Sequence, residues 1–132
     1  MTSVADTRIL FFMEFPPTRE LGRKTRDFFE KELRENLIVP TVVLAEFIEV
    51  AGARIGEEAA RNRIRLLKEH GMQIVQFDEQ HALKTGSLLL SNHKVPLADA
   101  IIATYVKTGE ANCVLTDDPH FKMLNVKTKW IS

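Results

Sequence analysis

The chain has 132 residues and a mass of 15.0 kDa, which is the size of one ordinary domain. Hydrophobic residues make up 45% and charged residues 27%, a globular composition that excludes a disordered chain. The 18 Lys and Arg residues balance the 18 Asp and Glu residues, so the net charge gives no reason to expect long-range attraction to nucleic acid or membranes. The net charge does not exclude a local basic groove.

The apolar runs are too short to span a bilayer, and no basic segment precedes a long apolar stretch near the start. Cys113 is a single cysteine and cannot form an internal disulfide, which favours a reducing compartment. We therefore expect a single domain over residues 1–132 that acts in the cytoplasm without membrane contact.

Short apolar segments alternate with amphipathic segments along the chain. The apolar segments predict strands at 3–5, 37–39, 73–77, 112–115 and 126–130. Helical spacing predicts helices at 7–13, 18–36, 42–54 with Thr41 as cap, 57–70, 79–92 and 98–107. Strands separated by helices predict a three-layer α/β/α sandwich with a central, mostly parallel sheet of four or five strands.

Acidic and hydroxyl side chains follow two of the predicted strands. Asp6 and Thr7 come directly after the first strand, and Thr116, Asp117 and Asp118 follow the fourth. In an open parallel sheet, ligands bind beyond the carboxyl ends of the strands, often where the strand order reverses. These side chains are therefore candidates for a functional site.

Two further acids lie on predicted helices. Glu46 falls on the same side of its helix as Val42 and Val50, so we expect it to project from a packed face, where a carboxylate needs a partner. Asp99 lies in the first turn of a helix whose neighbouring residues are apolar. Both positions are unusual enough to join the list of candidates.

The acids have a structural and a functional interpretation. Taken singly, Asp99 and Asp118 lie near helix starts and suit caps, and any of the acids could be solvated or paired with a base. If they converge, two carboxylates about 4 Å apart repel by roughly 4 kcal/mol at an effective dielectric of about 20. A divalent cation such as Mg²⁺ or Mn²⁺, which prefers oxygen ligands, would relieve that repulsion.

Four motifs together resemble those of PIN-domain nucleases. VapC-type toxins of prokaryotic toxin–antitoxin pairs share the fold of this family. The motifs are VADT at 4–7, LAE at 44–46, LADAIIA at 97–103 and VLTDDPHF at 114–121. The tail at 126–130 also resembles archaeal-looking members of the group. The resemblance implies a small α/β/α fold and a Mg²⁺- or Mn²⁺-dependent ribonuclease whose products carry a 5′-phosphate and a 3′-hydroxyl.

The resemblance also implies roles for single residues. The residues that match catalytic, metal-holding acids are Asp6, Glu46, Asp99 and Asp118. The residues at supporting positions are Thr7, Thr116 and, as a weaker candidate, Asp117. Asp6 and Asp99 are expected to be direct ligands, and the other two acids are expected to act through water or a second metal.

Basic residues near the predicted acidic mouth are candidates for RNA contact. They are Arg8, Arg19, Arg23, Lys24 and Arg26. Acids interleave with them, so a solvated, ion-paired helix is the alternative interpretation. The four histidines have no regular zinc-site spacing, and for His120 we expect a surface or packing role, with substrate contact as the alternative.

The sequence therefore predicts a metal-dependent endoribonuclease acting on RNA. The resemblance implies in addition that the protein is a toxin whose activity an antitoxin protein blocks. It also implies that the protein forms a homodimer. An RNA-processing nuclease of the same fold without an antitoxin is the nearest alternative. In another class, a Mg²⁺-binding receiver-like signalling module would use Asp78 as phospho-acceptor beside Thr116 and Lys127 or Lys129, but it leaves two of the acids unexplained.

Overall fold

The computed structural model describes residues 1–131, and its centre is a five-stranded sheet. Position 132, the last of the predicted domain, lies outside the described residues. The strands are β1 (Ser3–Ala5), β2 (Leu37–Pro40), β3 (Gln73–Val75), β4 (Cys113–Leu115) and β5 (Thr128–Lys129). The helices are α1 (Thr7–Glu14), α2 (Arg19–Glu35), α3 (Thr41–Ile55), α4 (Glu57–Glu69), α5 (Glu79–Ser91), α6 (Leu97–Lys107) and α7 (His120–Met123).

All strand pairings among these residues are parallel, and helices flank the sheet, which confirms the predicted α/β/α architecture. The inner strands β1, β2 and β4 are buried at every position, whereas β3 and β5 are partly or fully exposed. Continuous apolar strands are typical of a parallel sheet covered on both faces. Fully buried side chains such as Val4, Val39 and Leu115 each stabilise this core by about 1.5–3 kcal/mol.

The strand order β3-β2-β1-β4-β5 places the first strand at the middle of the sheet. The chain builds outward from β1 through β2 to β3 and then crosses to the other side for β4 and β5. Because the order reverses between β1 and β4, their carboxyl ends border the crevice where such sheets bind ligands. Ala5 pairs with Leu115, so the next residues, Asp6 and Thr116, leave the sheet side by side.

Helix α2 is amphipathic and carries one charged residue into the core. It begins after Thr18, whose hydroxyl oxygen accepts a hydrogen bond of 3.0 Å from the first turn. Glu32 is 1% exposed, and its carboxylate accepts hydrogen bonds from Ser3 Oγ at 2.7 Å and Lys129 Nζ at 2.8 Å. The buried carboxylate is therefore fully partnered, and it ties α2 to β1 and β5.

Two expectations about α3 are wrong. Thr41 is the first helical residue and caps nothing with its side chain, because the preceding proline occupies the cap position. The buried residues of the helix are Val43, Phe47 and Ala51. Phe47 stacks on Phe11 with ring centroids 5.9 Å apart. The face of α3 that contains Phe47 is turned toward the core, whereas Val50 is 41% exposed and Glu46 only partly buried.

The last part of the chain differs from prediction in two details. The strand predicted at 126–130 is shorter, since only Thr128–Lys129 pairs with β4. The four-residue helix α7 was not predicted, because one turn is too short to show helical periodicity. Within residues 1–131, no helix has the length and apolar character needed to cross a membrane.

Candidate active site

Asp6 is held at the junction of β1 and α1 by two hydrogen bonds. Its Oδ1 accepts from the Thr7 backbone N–H at 2.7 Å, which makes it the N-cap of α1. Its Oδ2 accepts from Thr116 Oγ1 at 2.6 Å. Asp6 is 4% exposed and Thr116 is 1% exposed, so the carboxylate is fixed in a buried position beside the end of β4.

Asp6 lies close enough to other acids for their charges to act on it. Its pKa is raised to about 6, mainly by burial, while the hydrogen bond from Thr116 opposes the rise. The negative charges of Asp99 and Asp118 contribute to the raised pKa. The acids that follow β1 and β4 and the acid on α6 therefore share one electrostatic environment.

Asp99 brings the helix α6 into the same cluster. It lies in the first turn of α6, and its side chain is 13% exposed. The pKa of Asp99 is raised to about 6, mainly by burial and then by the charge of Asp118. His120 opposes this rise, and Glu46 contributes a smaller increase. The structural alternative, a helix cap, does not describe Asp99, because the cap position belongs to Pro96.

Glu46 reaches the cluster from α3 through a hydroxyl. Thr7 Oγ1 donates a short hydrogen bond to Glu46 Oε1, and the Thr7 backbone N–H binds Asp6. Thr7 therefore links two of the acids, as a supporting residue would. The structure brings together Asp6, Glu46, Asp99 and Asp118, which come from four different segments of the chain.

His120 belongs to the cluster, which differs from its expected surface or packing role. Its Nδ1 lies 3.0 Å from Asp99 Oδ2 and 2.9 Å from Asp118 Oδ1. Its backbone N–H also donates to Asp118 Oδ1 at 2.9 Å, and the Asp118 N–H donates to Thr116 Oγ1 at 3.0 Å. The sequence signal that could have identified His120 is its position two residues after Asp118. The turn between the two residues brings the imidazole ring close to the Asp118 carboxylate.

The donor set fits a divalent metal ion. Asp99, Asp118 and His120 each offer a ligand atom, and these atoms all lie within 4.8 Å of one another. The groups that bind the acids are hydroxyls, backbone amides and one imidazole, so the negative charge of the cluster is only partly balanced. Oxygen-rich sites of this kind hold octahedral ions such as Mg²⁺ and Mn²⁺.

The basic residues predicted to bind RNA divide into two groups. Arg8 lies beside the acids and forms an ion pair with Asp117, with Nη2 donating to Oδ2 at 3.0 Å. Asp117 therefore points to Arg8 rather than joining the other acids. Lys24 on α2 pairs with Glu20 at 3.7 Å, as in the ion-paired alternative.

The remaining α2 bases are exposed or line a different surface. Arg23 is exposed, and Arg19 and Arg26 line a cleft of about 540 Å³ between α1, α2 and α4. None of the four clustered acids is among the described residues that line this cleft. The structure therefore does not bring these bases to the acidic cluster.

The residues of the signalling-module alternative do not share a site. Asp78 follows the edge strand β3, caps α5 and contacts His81 at 2.6 Å. Lys129 lies in β5 at the opposite edge of the sheet and binds Glu32. A phospho-acceptor at Asp78 would have no lysine from β5 beside it.

The fold and the acidic cluster define a PIN-type α/β protein, and sequence comparison agrees. The model of the PIN domain family matches residues 4–127, so the chain belongs to the PIN domain family. This confirms the resemblance carried by the four motifs. No curated protein matches the chain in a direct search.

Solved structures share the fold over nearly the whole chain. VapBC2 from Rickettsia felis, bound to a promoter DNA fragment, has a TM-score of 0.78 at 16% identity and covers 100% of both chains. DNA-bound VapBC from Salmonella typhimurium has a TM-score of 0.78 at 17% identity, covering 100% of this chain and 99% of that one. VapC20 from Mycobacterium tuberculosis, described as a sarcin-ricin loop cleaving toxin, has a TM-score of 0.76 at 12% identity and covers 96% of each chain.

Proposed function

We propose that the protein is an endoribonuclease that uses Mg²⁺ or Mn²⁺ to hydrolyse RNA phosphodiester bonds. The observation that carries this proposal is the convergence of four acids at the carboxyl ends of β1 and β4, in a chain of the PIN domain family. Acids gathered in this way are costly without a counter-charge, and a divalent ion is the counter-charge that suits carboxylate oxygens.

Each residue then has a distinct part. Asp6, Asp99 and Asp118 would hold the metal, and Thr116 fixes the orientation of Asp6. A bound divalent ion supplies charge neutralisation at the phosphate and lowers the pKa of a coordinated water. Glu46 is held by the Thr7 hydroxyl and is partly exposed, so it would act through water or through contact with substrate.

Arg8 is the basic residue best placed to contact RNA. Its guanidinium lies near Asp6 and Asp118 and is 47% exposed in its pair with Asp117. A phosphate group can replace an exposed carboxylate partner, because a guanidinium binds both with the same bidentate geometry. Contacts by the more distant Arg19, Arg23 and Lys24 would need an RNA that extends along α2.

We further propose that the nuclease is the toxin of a toxin–antitoxin pair, works in the cytoplasm and forms a homodimer. Support comes from solved structures of the same fold, which include a toxin–antitoxin complex from Klebsiella pneumoniae with a TM-score of 0.63 at 19% identity, covering 89% of this chain and 87% of that one. An RNA-processing nuclease without an antitoxin is the second candidate. A neighbouring gene that encodes a small DNA-binding protein able to block cleavage would favour the toxin over the RNA-processing nuclease.

The test is cleavage of RNA by the purified protein with Mn²⁺, with Mg²⁺ and with EDTA. We expect cleavage with either ion, none with EDTA, and a loss of at least about 100-fold for Asp99→Asn, because the site loses a charged ligand. Asp78→Asn removes an exposed acid at the far edge of the sheet and should cleave like the wild type. Undiminished cleavage by a folded Asp99→Asn variant would refute the assignment.

A further inference from the structure

The position of His120 bears on which ion the site takes, an inference that rests on the proposed metal-dependent function. The imidazole Nδ1 lies between Asp99 and Asp118, at 3.0 Å and 2.9 Å from one oxygen of each. We propose that His120 is a metal ligand, which makes the donor set mixed nitrogen and oxygen and gives the site a preference for Mn²⁺ over Mg²⁺.

The spacing of the donor atoms matches adjacent corners of an octahedron. In an octahedral site with metal–ligand bonds of about 2.1 Å, neighbouring ligand atoms lie about 3 Å apart. Nδ1 of His120 has that separation from both Asp99 Oδ2 and Asp118 Oδ1. His120 Nδ1 therefore has the separation from each acid oxygen that two neighbouring ligands of one ion would have, and the ligand atoms of the three residues all lie within 4.8 Å of one another.

The backbone around His120 keeps the ring in place. The residue begins α7, and the next residue, Phe121, is fully buried and anchors that turn in the core. The His120 N–H donates to Asp118 Oδ1 at 2.9 Å, which fixes the turn against the acid. The ring itself is 39% exposed, so an ion from solvent can reach it.

The competing explanation is that His120 is only a hydrogen-bonded neighbour of the two acids, which a metal ion must displace. The two explanations predict opposite effects of removing the imidazole. A ligand lost from the site weakens metal binding, whereas a displaced competitor, once removed, strengthens it. Mg²⁺ responds less to a nitrogen ligand than transition-metal ions do, because it strongly prefers oxygen.

The experiment is electron spin-echo spectroscopy of Mn²⁺ bound to the metal-free protein, with Mn²⁺ and Mg²⁺ affinities measured by titration calorimetry. We expect nitrogen hyperfine coupling to the bound Mn²⁺ that changes when the histidines are labelled with ¹⁵N. His120→Asn, which replaces the ring nitrogen by an amide group at a similar position, should abolish the coupling. It should also weaken Mn²⁺ binding at least about tenfold, with a smaller effect on Mg²⁺.

The controls separate this inference from the proposed function. His70→Asn alters an exposed histidine at the amino end of β3 and should keep both the coupling and the affinity. Mn²⁺ that binds without nitrogen coupling, or binds more tightly to His120→Asn, overturns the role of His120 alone. Failure of the wild type to bind Mn²⁺ or Mg²⁺ overturns the metal-dependent function as well. If His120→Asn fails to fold, a wild-type spectrum of bound Mn²⁺ without nitrogen coupling still overturns the role of His120.

Discussion

At the scale of single residues, Thr116 connects two of the acids with one hydroxyl group. Its Oγ1 donates to Asp6 Oδ2 at 2.6 Å and accepts from the Asp118 N–H at 3.0 Å. The residue is 1% exposed, so water cannot replace either bond without entering the core. Thr116 is therefore a positioning residue for both acids.

We predict that Thr116→Val, which keeps the volume and removes the hydroxyl, lowers stability by about 1–3 kcal/mol, because Asp6 and the Asp118 N–H lose a buried partner. The pKa of Asp6 should rise above about 6, since the lost hydrogen bond favours the charged form. RNA cleavage should fall at least about tenfold. Urea unfolding and cleavage rates measure these effects, and Thr116→Ser should retain most of both.

At the scale of elements, the turn between α3 and α4 depends on one glycine. Gly56 has φ of +92°, a conformation that side chains other than glycine rarely adopt, and a Cβ added there would meet nothing within 4 Å. Gly86 lies inside α5, and a Cβ added there is equally free of contacts. The two positions therefore differ in backbone conformation and not in space.

We predict opposite effects for alanine at these two glycines. Gly56→Ala should destabilise the protein by about 1 kcal/mol or more, because the positive φ strains any side chain. Gly86→Ala should stabilise it by about 0.5–1 kcal/mol, because alanine is the better helix former. Urea unfolding of both variants measures the difference, and equal effects would show that φ is not the cause.

Another link between elements joins the start of α5 to the loop after α6. His81 Nδ1 lies 2.6 Å from Asp78 Oδ1 and its Nε2 lies 2.6 Å from Glu110 Oε2, while the ring stacks on Tyr105 with centroids 4.5 Å apart. Because each ring nitrogen faces a carboxylate, both must donate, which requires the charged imidazolium. Burial lowers the pKa of His81, but the hydrogen bonds and charges of Glu110 and Asp78 outweigh it, and the net pKa is raised.

This raised pKa predicts a pH-dependent contribution to stability. The stabilisation is fully present below the unfolded-state pKa of about 6.5 and is lost as pH rises through the higher folded-state value. His81→Gln should therefore be clearly less stable than the wild type at pH 6, with a gap that narrows toward pH 9. Urea unfolding across that range gives the answer, and a gap independent of pH would contradict the charged bridge between Asp78 and Glu110.

The elements themselves were largely predictable, because apolar periodicity is a local property of the sequence. The strands at the sheet centre and most helices fall within a few residues of their predicted bounds. The side of α3 that is buried was not predictable from the helix alone, because α3 packs on residues distant in the sequence, as Phe47 does on Phe11 of another helix. The same limit applies to His120, whose acid partners come partly from α6.

At the scale of the whole molecule, folding itself gathers charges that repel one another. Asp99 and Asp6 both have a pKa raised to about 6, first by burial and then by neighbouring acids. A raised acid pKa means that the folded state loses stability as pH rises from about 4 to about 6. Without an ion, the proposed active site therefore works against the stability of the fold.

We predict that Asp99→Asn raises the stability of the metal-free protein at pH 8 by about 1 kcal/mol. A pKa shift of one unit corresponds to roughly 1.4 kcal/mol. The expected gain is smaller than the full shift would give, because solvent and His120 screen the charge of Asp99. The gain should disappear near pH 4, where the wild-type group is protonated. With Mn²⁺ the order should reverse, because the ion binds only the folded wild type well. Thermal melts with EDTA and with Mn²⁺ measure the difference in stability between the variant and the wild type under both conditions. A metal-free variant that is less stable than the wild type would indicate a structural role for Asp99.

The hydrogen bond between Asp6 and Thr116 joins positions separated by 110 residues of sequence. Asp6 is synthesised long before Thr116. A nascent or prematurely terminated polypeptide can therefore contain the central strand β1 without its neighbour β4. Incomplete translation products thus lack the assembled cluster, and the proposed cleavage activity is acquired only when synthesis has passed β4.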